Sequence, residues 1–479
     1  MGSRRTFLTL AVLAWLALLA VPFFASPARP PVPKHTLTII SPHGPEILDE
    51  YIGAFEKMKA AQGDPVHVER IIVGGTGEVE RRVRSDFDAI TDPGPAVAKD
   101  QPPAPRVVVR QGLIDLMWGG GTDPYVHLAK IGALEPYLPP PDLDAAIPAE
   151  AAGVVIKPKN HLWIGTAFAG FGIVVNKKVC RADGLPIPKD WSDLAQPCFF
   201  DRQKGIGLLG NADIRYTGAI KQCYEAVLQS EGWDRGWQTL TCIAGNSAQF
   251  YPNSSQTPEA VGMGNVIAGF SYDRPAMAEI DQRGEDTIAF ILPPLTIINP
   301  DAIGILEGAP QPALAREFVN FVLSHHGQAL WFLKPGVPDG PVRYPLRRMP
   351  IRPDVYNDYP ADEIQVQINP FHYSFRRPDG KPFIYDDKLA SRRRRSMPDL
   401  AGAALIDTHP ELVRAWARIV RDGCRPAAIQ AFAAMPVTEK ELAGLDAAWE
   451  KNPALREDTL TKWKAFFRAK YARIEADGQ

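Results

Sequence analysis

Apolar and polar residues alternate along 35–40 (HTLTII), the two-residue period of a half-buried strand, and from 46 to 60 the apolar positions recur at helical spacing. A second strand over 66–73, a glycine loop over 74–77 (GGTG) and a charged helix over 78–87 repeat that order. Strand, turn, helix, strand, turn, helix is the syntax of a parallel α/β sheet. Residues 91–105, rich in proline, alanine and aspartate, predict a surface excursion. Residues 107–109 and 113–118 then return to the sheet and end in a second glycine loop, 119–122 (GGGT). The stretch 161–180 is apolar and strand-like, with 169–172 (AGFG) breaking the run. A second α/β unit follows: a strand over 204–209, a loop over 210–218, a helix over 219–231, a turn at Asn253-Ser254-Ser255, and a buried strand over 266–272 that ends at Asp273-Arg274-Pro275. Strands over 288–292 and 295–305, an amphipathic helix over 313–323 continued by 328–333, and helices over 410–421 and 439–471, the last interrupted at Asn452-Pro453, complete the pattern.

A chain of 479 residues exceeds what one hydrophobic core organises, so two lobes and a remainder are expected. Hydrophobic residues at 45% and charged residues at 23% exclude a disordered, collagen-like or multi-span membrane protein. The 53 Lys and Arg against 55 Asp and Glu, a net charge of −2, give no global electrostatic case for nucleic acid.

The first segment bears on cellular context. Residues 1–28 carry Arg4 and Arg5, an apolar stretch to Phe24 and a small-residue exit, the pattern of a bacterial export signal, and residues 3–8 (SRRTFL) are similar to a twin-arginine signal. The apolar run 6–24 is close to the ~20 residues that span a bilayer, so an uncleaved anchor is the alternative. Residues 29–35 form a proline-rich spacer. Of the five cysteines, Cys180, Cys198, Cys223 and Cys242 either make two bridges in an oxidising compartment or stay as buried thiols, with Cys424 left over. None has a zinc or thiol-redox spacing.

The glycine loops offer backbone amides at helix starts, where unpaired N–H groups and the helix dipole favour an anion. Neither fits a dinucleotide or P-loop pattern, and glycine turns after strands are also simply how α/β proteins connect elements. No nucleophile elbow and no His-Glu-x-x-His is present, so an enzyme is not expected and neither catalytic nor metal-ligating residues are assigned. No cofactor is expected. His325-His326 reads as a solvated or core pair on the closing helix.

Ordered landmarks carry a family resemblance: 39–43 (IISPH) opening a helix that contains Ala54-Phe55, 115–122 (DLMWGGGT), 128–137 (LAKIGALEPY), 171–177 (FGIVVNK), 266–273 (VIAGFSYD), and 316–321 (REFVNF) with 327–330 (GQAL). Over roughly residues 36–350 the chain thereby resembles the periplasmic solute-binding proteins of ABC importers, in the branch that contains the ferric-iron binders. The resemblance implies an α/β, two-lobed periplasmic-binding-protein fold (type II-like) with a crossing-strand hinge, here followed by a C-terminal helical extension. The expected organisation is lobe one from 36–165 with 290–345, lobe two from 166–289, and a mostly helical extension over 346–479. It implies a periplasmic monomer that binds a small-molecule solute and docks on an inner-membrane permease, without nucleic acid. Iron binders of the family use a histidine in the first turn, an acid after the third strand and two consecutive tyrosines. Here His43 stands near the first position, but the others fall on Gly120 and on Arg274 and Pro275.

An arginine cannot ligate a cation but forks onto carboxylate or phosphate, so the expected solute is anionic or anion-bearing. The expected contacts are His43, Gly75, Thr76, Gly120, Gly121, Thr122, Arg215, Thr217, Ser254, Ser255, Asp273 and Arg274, with an aromatic wall from Trp118, Phe171 and Tyr272. For Arg274 the alternative is a structural ion pair with a nearby acid, and for Trp118 a place in the core. A ferric-iron or iron-chelate binder, and a membrane-anchored ligand sensor, are the rival functions. Arginines at 343, 347, 348, 352, 376–377 and 392–395 form basic clusters in the extension, either an arm on an acidic surface or a contact for lipid or a partner.

Overall fold

The computed structural model describes residues 33–92, 107–151, 153–366, 368–372, 377, 381 and 383–476. The export signal or anchor over 1–28, most of the spacer, and the excursion beyond Asp92 lie outside the described residues.

Lobe one is built as its apolar pattern predicts. Strand β1 (His35–Ile40) leads into α1 (Pro45–Ala61), β2 (Val66–Ile71) into α2 (Thr76–Ile90), and β3 (Leu116–Trp118) into α3 (Asp123–Lys130). β1 pairs in parallel with both β2 and β3, so the three strand ends that start helices lie along one edge of the sheet. The 13-residue strand β4 (Ile164–Asn176), buried along its whole length, then crosses from this lobe into the next.

Lobe two contains β5 (Leu209–Ala212), α4 (Gly218–Glu231), α5 (Trp233–Gly245), β6 (Ser247–Tyr251), α6 (Gln256–Met263), β7 (Ala268–Tyr272), α7 (Asp273–Arg283) and β8 (Ile288–Ile291). β7 and β8 pair antiparallel with the second half of β4. The chain returns through β9 (Ile298–Leu306), antiparallel to the first half of β4 and to β3, and then forms α8 (Pro312–Leu323) and α9 (His325–Phe332). The main strand order is thus β7-β4-β9-β3-β1-β2. Strand β4 and the segment 288–306, which holds β8 and β9, are the two crossings of the expected hinge.

The glycines of 169–172 do not break the strand. A Cβ on Gly172 would collide with the Ile291 carbonyl, so glycine there is what lets the crossing strands lie against each other. Residues 209–212, expected in part as loop, are a strand because pairing with β6 buries all four of them. α5 carries no separate signal in the sequence reading. It forms because Trp237, Leu240 and Ile243 face the core of lobe two.

Apolar clusters cover both faces of each sheet. In lobe one, Leu37, Ile39, Tyr51, Trp118, Phe318 and Trp331 pack on one side and Ile40, Val79, Met117 and Tyr125 on the other. In lobe two, Val174, Val261 and Ile280 form one cluster, while the larger one is shared with the extension.

The extension has two parts. Leu346, Met349, Ile351, Val355 and Phe383 join the lobe-one core, and β10 (Met349–Pro350) pairs with β4, so this portion, with one 3-10 turn at Asp354–Asn357, is not detached. The helices begin at α10 (Asp387–Arg392) and continue as α11 (Ser396–Ala401), α12 (His409–Arg421), α13 (Pro426–Ala433), α14 (Glu439–Lys451) and α15 (Pro453–Ala476). Their Met397, Leu400, Trp416, Phe432 and Tyr471 complete the lobe-two cluster. All five cysteines are thiols in the structure.

Candidate functional site

The topology brings six strand ends to one seam. β4 runs from lobe one into lobe two, and β7, antiparallel to it, runs back and ends with Tyr272 opposite Phe171 at the crossing point. β5 lies beside β7, with the Ile267 N–H donating to the Leu208 carbonyl and the Phe270 N–H to the Asn211 side chain, and β6 is parallel to β5. The turns that open α4, α6 and α7 therefore face the turns that open α1, α2 and α3.

On the lobe-one side, Gly119, Gly120 and Gly121 hold successive φ angles of +95°, +90° and +75°, a left-handed path that side chains rarely adopt. A Cβ on Gly119 would meet His43 Nε2 at 2.5 Å and one on Gly120 would meet Thr76 at 2.9 Å. The GGGT loop thus lets the His43 ring and the α2 start approach it closely. The Gly121 N–H donates to Asp301 (3.0 Å), and the Thr122 hydroxyl lies 3.4 Å from Asn299 Oδ1.

His43 is buried, its ring edge-on to Trp118 at 5.0 Å, and its Nε2 has no hydrogen-bond partner among the described residues. Burial pushes its pKa down to about 4, Arg348 and Arg274 push the same way, and Asp301 opposes them, so the imidazole is neutral at pH 7.

The centre of the seam is a buried charge cluster. The Arg348 guanidinium lies 3.1 Å from Asp273 and 3.4 Å from Asp301. Asp273 also accepts from the N–H groups of Gly170 (2.9 Å) and Arg274 (2.7 Å). Burial raises the pKa of the Asp273 carboxyl, and Arg348 and these donors oppose the rise. Burial works against the charge on Arg348, and the two aspartates raise its pKa. Burial also raises the Tyr272 phenol.

Arg274 reaches across the seam to Glu46 in the first turn of α1, 2.5 Å away, both side chains partly exposed. The ion-pair alternative for Arg274 is therefore present, with Glu46 as the acid. Arg347 pairs with Asp281 on α7, while Glu50 on α1 accepts from the N–H groups of Val342, Arg343 and Tyr344. Residues 342–348 are stitched to both lobes.

The expected site residues separate into groups. His43, Thr76, Gly120, Gly121, Thr122, Tyr272, Asp273 and Arg274 lie at or beside the seam, with exposed Gly75 at the α2 start. Trp118 does not form a wall: it is fully buried among Tyr51, Phe318 and Trp331, and its indole N–H donates to Thr166. Phe171 is likewise buried, in the hinge, where its carbonyl accepts from Thr296. Arg215 does not join Arg274. Its guanidinium turns to Asp213 (2.7 Å) and to Asp407 of the extension (2.9 Å), which raise its pKa. The Thr217 hydroxyl is directed to the Asp213 carbonyl, and Ser254 and Ser255 sit at the turn before α6, where Ser255 bonds to Asn253.

Glu46, Asn299, Asp301 and Arg348 were missed. Asn299-Pro300-Asp301 interrupts an apolar strand, which was a usable signal; Arg348 in a proline-rich stretch carried none. Among the described residues, no three His, Cys, Asp or Glu side chains are grouped to hold a metal ion.

Residues 128–346 match the family described as bacterial extracellular solute-binding protein. The phosphoglycerate transport regulatory protein PgtC of Salmonella typhimurium is 28% identical over 188 residues, covering 39% of this chain and 45% of that one, so the chain spans about half the length of this curated relative. Among solved structures, the periplasmic binding protein AfuA from Actinobacillus pleuropneumoniae, with fructose-6-phosphate bound, superposes with a TM-score of 0.51 at 18% identity over 72% of this chain and 95% of AfuA. Iron-bound HitA from Pseudomonas aeruginosa superposes at 0.49, also at 18% identity, over 71% of this chain and 91% of HitA. The likeness to AfuA is one of fold.

Proposed function

From the match of residues 128–346 to the bacterial extracellular solute-binding proteins, we propose that the chain captures a small organic anion between its lobes in the periplasm and delivers it to an ABC import permease. Arg274 is the observation that carries the anion. Its pair with Glu46 bridges the lobes but is partly exposed on both sides, and such pairs contribute only ~0–1 kcal/mol. A phosphate or carboxylate that also received the amides at the α1, α2 and α7 starts would compete with Glu46 for the guanidinium. His43, neutral at pH 7, supplies hydrogen bonding rather than charge. Closure is then favoured by the solute's differential contacts with the two lobes. The phosphoglycerate relative and the sugar phosphate held by AfuA put phosphorylated metabolites first among solutes to try.

Isothermal titration of the full chain against phosphoglycerates, hexose phosphates, dicarboxylates and ferric citrate tests this. Saturable binding of a phosphorylated or carboxylated solute is expected. Binding of iron with indifference to every anion would overturn it and favour the iron-binding alternative.

The regulatory description of the Salmonella relative favours a second reading, a ligand sensor for a transport system. Deleting the gene separates the two: loss of solute uptake itself supports delivery, whereas loss of induction with uptake intact supports sensing.

A further inference from the structure

Outside the seam, a cavity of about 610 Å³ opens between the loop after β5 and the helices of the extension. Its wall holds five cationic side chains, Arg215, Arg394, Arg395, Arg456 and Lys464, against two carboxylates, Asp399 and Asp407; behind the wall Asp213 also takes Arg215 (2.7 Å) and Glu457 lies 3.5 Å from Arg456. Asp407 takes both Arg215 (2.9 Å) and Lys464 (2.8 Å), and Asp399 takes Arg456 (2.7 Å). Arg394 closes the cavity towards lobe one, donating to the His127 ring (2.7 Å) with Glu80 3.7 Å away. The exposed Arg395 guanidinium has no carboxylate partner among the described residues; its backbone N–H donates to Asp446 and its carbonyl accepts from the Asp399 N–H. Beside Arg215, Tyr216 is 74% exposed, with the Arg215 guanidinium 5.9 Å from its ring centroid.

We propose that this cavity is a second binding site, separate from the seam, for a phosphorylated small molecule. A phosphate matches the fork geometry of guanidinium groups, with Arg395 as the unshared donor and the carboxylate-paired arginines beside it able to share their remaining N–H groups. Inorganic phosphate alone would leave most of the cavity to water, and a volume of this size is typical of small-molecule sites. The Tyr216 face offers a platform for the organic part. Because Arg215 belongs to lobe two, Arg395, Arg456 and Lys464 to the extension, and Arg394 contacts lobe one, the bound anion would tie all three parts together.

Titration of the full chain with inorganic phosphate and with glucose 6-phosphate at low ionic strength tests the site, using Arg395→Ala, Tyr216→Ala and Arg274→Ala. Arg395→Ala removes no ion pair, so near-UV circular dichroism unchanged from wild type shows that it folds. It is expected to weaken both ligands about tenfold or more, Tyr216→Ala to weaken only the sugar phosphate, and Arg274→Ala to leave this binding event in place. Absence of saturable binding of either ligand, or binding insensitive to Arg395→Ala, overturns the proposal. Binding lost in Arg274→Ala but kept in Arg395→Ala assigns the anion to the seam and overturns it too, while the solute reading stands.

Discussion

Arg348, from the segment that follows the last lobe-one helix, lies 3.1 Å from Asp273 at the start of α7, and both side chains are 5% exposed. A residue contributed after the two lobes are complete thus neutralises an acid of lobe two at the hinge, with Asp301 of lobe one as its second partner. Breaking a buried pair by removing one partner strands the other charge, which is costlier than the pair is favourable.

Arg348→Met is therefore expected to lower unfolding stability by about 3–5 kcal/mol, because Asp273 and Asp301 are left facing each other without a cation. Adding Asp273→Asn should recover part of that loss. Urea unfolding of the single and double variants checks it; equal stability of Arg348→Met and wild type would show that the cluster is energetically neutral.

His43 makes stability depend on pH. Its folded pKa of about 4 lies below the ordinary histidine value of 6.5, so between these values the unfolded chain binds a proton that the folded chain does not. Stability from this group is fully present above pH 6.5 and falls as the pH drops to 4, by about 3 kcal/mol in all. Urea midpoints measured from pH 4 to 7 should show this slope in wild type and a shallower one in His43→Gln.

Glu46→Gln should tighten binding of an anionic seam solute, since the competitor for Arg274 is removed, and Arg274→Ala should weaken it. Neither changes stability by more than ~1 kcal/mol, because the pair is solvent-screened. Calorimetry with the best anion of the panel, alongside thermal melts, checks both; affinity unmoved by either substitution would remove Arg274 from the solute site.

The extension is part of the lobe-two core. Trp416 is 1% exposed, stacks on Phe432 with ring centroids 5.5 Å apart and donates to Asn246. Trp416→Ala is expected to cost about 3–5 kcal/mol. Truncation after residue 383 should yield aggregating protein, because the apolar faces of α4 and α5 lose their cover. A soluble, cooperatively folding truncation would overturn this.

Much of lobe one was legible in the sequence. β1 is a clean alternation, α1 and α2 are strongly periodic, and each is fixed by neighbours a few positions away. β5 was partly misread because its four residues hold only two aliphatic side chains, and pairing decides their state. At the seam, the GGGT loop and Arg274 were visible as residue types. The partners Glu46, Asp301 and Arg348 were not, since Glu46 lies 228 positions from Arg274, Asp301 180 from Gly121, and Arg348 75 from Asp273.

By itself the sequence determined the alternation of strands and helices, the order of the family landmarks and the positions of the glycine turns, because side-chain period and φ preference are local properties. Only the tertiary structure decided that the glycines of 169–172 sit inside a continuous crossing strand, that Trp118 and Phe171 are core, that Arg215 faces the extension rather than the seam, and that residues 346–383 and the helices after them complete two different lobes. Those outcomes depend on which surfaces remain apolar or charged once the sheets have paired, and burial and ion pairing between distant segments is settled by closure of the fold, not by spacing along the chain.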